Sequence, residues 1–359
     1  MALNQSETET LSAQPMFDVE RTLLFHLELT DKCNAACPMC GRTQQANHCR
    51  TEKSKVKNIE LTLNDIRKAF TPELCRQIRQ IDLCGGLGDP PAASQCLEIC
   101  DYLVDQGVTV TLSTNGGLRS KRWWRSLGEI FNANDSLVEF HIDGLEDTNH
   151  LYRVNTRFDK IIDNASHYLQ SGATAEWHFI LFQHNQHQVE EAVALSRGMG
   201  FSQFKLIDTI RFGKEKRFRY QTPAGEIRYL EPATINSARW KKNADLDMEV
   251  DLSRSPKEKP RAGAVSGIQC KSAIQNRPYV VADGSVSACC WIQGSEDEKQ
   301  MYQRAGGGRE EHNILQRPLT EILTEEPFVS IYQAAWAKGD NPVCIRKCGQ
   351  MRRNTRLTV

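Results

Sequence analysis

The sequence predicts an α/β fold on a parallel sheet, followed by a small α+β region toward the carboxyl terminus. Two observations carry the first part: apolar, branched runs alternate with helical stretches about six times over residues 20–212, and short turns join them. Right-handed crossovers then lay the strands side by side. A third observation carries the second part. Residues 263–359 hold two apolar runs around an Asp-Gly turn, together with five of the thirteen cysteines. About six strand-helix units are too few to close an eight-unit barrel.

Taken in order, residues 22–29 read as a buried strand. Thr62 and Asp65 have the spacing of a capping box that opens a helix, and residues 81–84 form a second strand ending in a Gly-rich turn. A helix over about 92–105 leads to a strand at 109–112, and a tryptophan-bearing helix near 121–130 leads to a strand at 137–142. Helix 159–169, strand 175–182, helix 188–197 and strand 204–207 complete the alternation. Residues 1–19 read as a polar tail. Residues 213–262 are charged, Pro-punctuated and poor in periodicity, and read as a connector or lid. Beyond them, residues 319–338 have a helical pattern.

Lys plus Arg and Asp plus Glu number 45 each, so no global field favours nucleic acid, a membrane surface or an acidic partner. No signal segment and no apolar run of membrane-spanning length is present, which predicts a cytoplasmic protein. Without an export signal, thirteen cysteines point to reduced thiolates that bind metal rather than to disulfides. Cys75, Cys84, Cys96 and Cys100 lie among apolar neighbours and are assigned to packing.

The most informative run is Cys33-Asn34-Ala35-Ala36-Cys37-Pro38-Met39-Cys40, directly after the first strand. A cubane iron-sulfur cluster has four irons, so three thiolates leave one iron open to a substrate or cofactor. A structural zinc site is the alternative, with Cys49 or His48 as its fourth ligand. The run resembles the signature of radical S-adenosylmethionine (SAM) enzymes. That resemblance implies a partial (β/α)6 TIM-like barrel, a [4Fe-4S] cluster on Cys33, Cys37 and Cys40, and SAM chelated at the open iron. It also implies an electron donor such as flavodoxin or ferredoxin, and a 5'-deoxyadenosyl radical that takes a hydrogen atom from substrate.

Other segments are read in the same light. Gly85-Gly86-Leu87-Gly88-Asp89-Pro90 follows a strand, and resembles the family's Gly-Gly-Glu-Pro with a shorter acid, placing Gly88 and Asp89 against the SAM ammonium. Ser113 and Asn115, in Ser-Thr-Asn-Gly-Gly, fit the segment set against the ribose, although Asn-Gly is also an ordinary turn. His141-Ile142-Asp143-Gly144 with Arg153 resembles Ser-Ile-Asp-Gly and its following arginine; Arg153 could fork onto a carboxylate or pair with Asp143. Met39 occupies the apolar position beside adenine, or packs.

Cys270, the pair Cys289 and Cys290, Cys344 and Cys348 resemble a SPASM or twitch domain, with three residues inside the closing pair where two are common. The resemblance implies one auxiliary [4Fe-4S] cluster on Cys270, Cys289, Cys344 and Cys348, with Cys290 the alternative to Cys289. A four-cysteine zinc knuckle uses the same donors.

The expected function is therefore oxidation or isomerisation of a small molecule or an amino-acid or nucleotide-type moiety. Few residues precede the first strand, which weakens peptide modification. Arg211, Lys214, Lys216, Arg217 and Arg219 interleave with Phe212, Phe218 and Tyr220, a pattern that could hold nucleic acid and suggests modification of a nucleic-acid-borne base. The non-enzyme alternative is a zinc-binding interaction protein.

Overall fold

Alternation within each strand decides how the sheet is covered. The computed structural model describes residues 15–45, 56–209, 211–212, 217–222, 225–235, 249–251, 265–339 and 341–351. In β1 (Leu23–Leu27) the residues Leu23, Phe25 and Leu27 are fully buried, whereas Leu24 and His26 face the opposite side and are partly covered. The same rule holds in β4 (Leu137–His141), where Val138 and Phe140 are buried beneath helices. The Phe140 ring lies 5.2 Å from Trp124 of helix Lys121–Phe131 and 6.0 Å from Tyr168 of helix Phe158–Leu169. Glu139 and His141 therefore point to the uncovered, concave face.

Strands β1, β2 (Ile78–Leu83), β3 (Thr109–Thr114), β4, β5 (Thr174–Leu181) and β6 (Gln203–Asp208) pair in sequence order, each parallel to the next. This is the predicted α/β partial barrel, and all six strands fall where the sequence puts them. Helix signals hold too. Thr62 and Asp65 form the reciprocal capping box, and Gly200 at φ 91° ends helix Val189–Met199.

The connector differs from expectation. Among its described residues, β7 (Phe218–Gln221) and β8 (Ile227–Leu230) make an antiparallel hairpin, and β9 (Glu249–Asp251) adds to β6 as a further parallel strand. These strands are three or four residues long, too short to show a period in sequence. Lys214 and Lys216 lie outside the described residues.

The carboxyl-terminal hairpin forms as predicted from β11 (Tyr279–Val280) and β12 (Val286–Ser287), but β11 also pairs parallel with β1. The barrel sheet thus continues into this region, with Leu24, His26 and Glu28 donating to the carbonyls of Asn276, Pro278 and Val280. Strands β10 (Val265–Ile268) and β13 (Gly349–Met351) form a separate antiparallel pair. The predicted helix over 319–338 is two helices, Leu319–Leu323 and Ile331–Lys338. Pro327 explains the break: its ring restricts Glu326 and removes a backbone donor. The Glu326 carboxylate then accepts from the backbone N–H groups of Ser330 and Ile331, each at 3.1 Å. Among the described residues no helix is long and apolar enough to cross a membrane.

Candidate active site

The cysteine loop leaves β1 at the carboxyl ends of the parallel strands. Its start is clamped by Asp31, whose carboxylate accepts from the N–H groups of Lys57, Asn58 and Ile59 at 2.8, 3.2 and 2.8 Å, while Arg42 Nε donates to the Asp31 carbonyl at 2.9 Å. Its middle is tied by Ala36 N–H to the Val154 carbonyl at 2.9 Å. Donors then converge on the sulfurs. The Ala35 N–H is 3.3 Å from Cys33 Sγ, Asn115 Nδ2 is 3.7 Å from the same atom, and Arg153 Nη1 is 3.8 Å from Cys37 Sγ. Burial pushes the Cys33 thiol upward and Cys37 to about 11, and a cation bound among these sulfurs would favour their thiolate forms. That donor set suits a metal cluster. Cys49 and His48, the candidate fourth ligands for zinc, lie outside the described residues.

The Gly-rich turn packs against the loop. A Cβ on Gly88 would stand 1.7 Å from the Thr30 carbonyl oxygen, so no other residue fits there, and Asp89 N–H donates to the Lys32 carbonyl at 2.8 Å. Asp89 is buried, and its two oxygens accept from Asn115, one from the backbone N–H at 3.2 Å and one from Nδ2 at 3.0 Å. Burial pushes its carboxyl up to about 6, against the opposing hydrogen bonds from Thr114 and Asn115. Asn115 Nδ2 also donates to Asn34 Oδ1 at 2.9 Å. The structure thus brings Cys33, Asp89 and Asn115 together. Ser113 sits lower, with its hydroxyl donating to Glu139.

Asp143 and Arg153 form an ion pair, Nε to Oδ2 at 2.6 Å, and the other Asp143 oxygen accepts from Ile180 N–H at 2.5 Å. Burial pushes the Asp143 carboxyl up while Arg153 pulls it down, and Asp143 holds the guanidinium charged. Of the two partners open to Arg153 in the sequence, the structure shows Asp143. Met39 is buried in an apolar group with Ala35, Cys37, Tyr152, Phe182 and Leu230, against which Phe212, Phe218 and Tyr220 pack. The hairpin β7–β8 therefore leans on the cysteine loop. Arg211 Nη1 donates to the Met39 carbonyl at 3.0 Å, and the Arg217 guanidinium lies 4.5 Å from the Tyr229 ring centre.

Sequence reasoning missed most of the concave face. Glu28 accepts from Leu87 N–H at 2.7 Å and Tyr279 Oη at 3.0 Å, Arg277 pairs with Asp82, and His178 Nε2 is 2.8 Å from Glu176 Oε2. Part of the signal is local: polar residues recur at alternate positions in the strands, as in Gln80 and Asp82, Glu139 and His141, and Glu176 and His178. Cys84 illustrates this. Cys75, Cys96 and Cys100 pack in the core as expected, but Cys84 follows Gln80 and Asp82 on the concave side and hydrogen-bonds Ser113.

One titration follows from this face. Burial and Arg277 pull the His26 imidazole down to about 4, below its unfolded value of about 6.5. Between those values the unfolded chain takes a proton that the folded chain refuses, so stability falls as pH drops through the window, by at most about 3 kcal/mol from this group. Urea unfolding of wild type and His26→Gln at pH 7 and 4.5 is expected to show the difference shifting toward the variant at the lower pH. An unchanged difference would contradict this.

At the second cysteine group the β10–β13 ladder does the positioning. Gln269 N–H donates to the Cys348 carbonyl at 3.1 Å, which sets Cys270 beside Cys348, and the two side chains hydrogen-bond. Asn341 Oδ1 accepts from Cys344 N–H at 3.0 Å and caps helix Pro342–Cys348. The Cys289 thiol lies within electrostatic reach of Cys270, Cys344 and Cys348, and burial pushes Cys344 to about 12. Cys290 differs in exposure. It is exposed, and besides the adjacent Cys289 its electrostatic neighbours are Arg277 and Lys347, with Cys84 and Tyr279 also in range.

Residues 27–195 match the Radical SAM superfamily model. No curated protein matches the sequence. Among solved structures, Streptococcus suis SuiB bound to S-adenosylmethionine is similar with a TM-score of 0.57 at 12% identity, covering 88% of this chain and 68% of that one. SuiB bound to the precursor peptide SuiA gives 0.57 at 12%, covering 88% and 67%. Native anSMEcpe with bound AdoMet gives 0.53 at 14%, covering 86% and 83%. At these identities the likeness is one of fold. Residues 27–195, which match the Radical SAM superfamily model and include the cysteine loop, lie within the partial (β/α)6 barrel formed by the six parallel strands.

Proposed function

We propose that this chain is a radical SAM enzyme that holds a [4Fe-4S] cluster on Cys33, Cys37 and Cys40 and takes a hydrogen atom from a polar organic substrate lying on the concave face. The observation that carries the reading is the convergence of the three-cysteine loop, Asp89 and Asn115 at the carboxyl ends of parallel strands. When bound, the cluster and SAM supply the hydrogen-abstracting radical. The chain's own residues do the positioning. Gly88 and Asp89 offer a close backbone approach and an anion for the SAM ammonium, and Asn115 and Ser113 supply polar contacts for its ribose. Asp143 fixes Arg153 against the loop, and Met39 gives the adenine an apolar wall. Substrate can be small or carried on a macromolecule; an electron donor such as flavodoxin or ferredoxin completes the system.

A second, auxiliary cluster is assigned to Cys270, Cys289, Cys344 and Cys348. The electrostatic reach of Cys289 to Cys270, Cys344 and Cys348 supports Cys289 as the ligand. The nucleic-acid reading is not preferred, because the aromatic side chains that would stack on bases pack against the cysteine loop.

Anaerobic reconstitution is expected to yield about eight irons per chain, and reduction with dithionite to convert SAM into 5'-deoxyadenosine. Cys289→Ser should keep about four irons and Cys290→Ser about eight. Colourless protein with two zincs would reject the cluster assignment, and loss of iron in Cys290→Ser alone would reverse the choice of ligand.

A further inference from the structure

We infer that Glu139, His141 and His178 form a binding site for one divalent transition-metal ion on the concave face, separate from both cysteine groups. Strand geometry builds it. Glu139 and His141 are two residues apart on β4 and so share a face, and the parallel register of β4 and β5 sets His178 directly beside His141. The two imidazoles meet edge to face with centres 5.0 Å apart. One ligand atom from each of the three side chains lies within 4.8 Å of the other two, the only such trio of His, Cys, Asp or Glu among the described residues. Donors about 2.1 Å from zinc stand about 3.4 Å apart, so each needs to move inward by under about 1 Å.

The donor set is specific in kind. Two imidazoles and a carboxylate on one side of an ion leave its remaining positions open, which suits zinc or ferrous iron better than magnesium or calcium. Supporting groups are in place around it. Glu139 Oε2 accepts from the Ser113 hydroxyl and stands 4.0 Å from His141 Nε2; Oε1 stands 3.9 Å from His178 Nε2. On the far side, His178 Nε2 is 2.8 Å from Glu176 Oε2, which lies 3.8 Å from Lys205 Nζ. That nitrogen also faces Glu139, so a cation bound to it would replace the contact with Glu176, whose carboxylate would stay nearby as a further anion.

The position gives the ion a role. Glu139 and His141 share one face of β4, and Asp143, two residues past the strand's end, reaches Arg153 and through it Cys37. Ser113 on β3 stands two residues before Asn115, which contacts Cys33. The open side of the ion therefore faces the space beneath the cysteine loop, where an oxygen or amine of the substrate would complete its shell; this last clause rests on the proposed function.

The test counts metal. Reconstituted, iron-loaded protein is equilibrated anaerobically with zinc chloride, desalted, and analysed for zinc and iron by mass spectrometry. About one zinc per chain is expected in addition to the iron. His141→Ala and His178→Ala should lose it, and Glu139→Gln should bind at least about tenfold more weakly, each with unchanged iron and circular dichroism. Wild-type protein that takes up no zinc, or variants that all retain it, would overturn the inference. The count needs neither SAM nor reductant: zinc held here by protein that fails to cleave SAM would sink the proposed function and leave this site standing.

Discussion

Replacing Cys33, Cys37 and Cys40 together by alanine is expected to abolish conversion of SAM to 5'-deoxyadenosine while about four irons of about eight stay bound. The two cysteine groups are built by different parts of the chain, one by the loop after β1 and the other by the β10–β13 ladder with helix Pro342–Cys348. Removing one set therefore leaves the scaffold of the other intact. Anaerobic iron analysis and chromatography of the SAM products check both halves. Cleavage retained by the triple variant would refute the assignment, and loss of all iron would show that the groups are not independent.

The largest expected effect on stability lies at Asp143 and Arg153. The Asp143 side chain is wholly buried and Arg153 is 14% exposed, so replacing Arg153 by methionine strands a carboxylate without its partner. Breaking a buried pair from one side costs about 3–5 kcal/mol, whereas removing both charges costs much less. Arg153→Met and Asp143→Asn should each lower the urea unfolding free energy, Arg153→Met by about that amount, and the double variant should fall well short of their sum. Arg153→Met should also lower iron retention at the first cluster, since it removes the donor near Cys37 Sγ. Strict additivity would mean that the pair contributes no coupling.

The barrel was legible because its strands are apolar on the helix-covered face and its turns are marked by glycine and capping residues. Val138, Phe140, Leu112 and Phe179 carried that signal. The cysteine spacing was legible because it is local. The concave face was not, since Glu139, His141 and His178 become a group only through the register of β4 and β5, which no local pattern encodes. The sequence likewise left Cys289 and Cys290 equivalent, because which of two adjacent side chains meets Cys270, Cys344 and Cys348 is set by distant parts of the chain. The short strands β7, β8 and β9 escaped because three or four residues cannot display a period.

The pairing of β11 with β1 carries a temporal consequence for a chain made from its amino end. Leu24, His26 and Glu28 emerge from the ribosome about 250 residues before the carbonyls they bond. Until then that flank of the nascent sheet presents unsatisfied donors, an invitation to pair with another chain. The carboxyl-terminal region is thus also the seam that closes the barrel's flank, and its arrival marks the end of the vulnerable interval in synthesis.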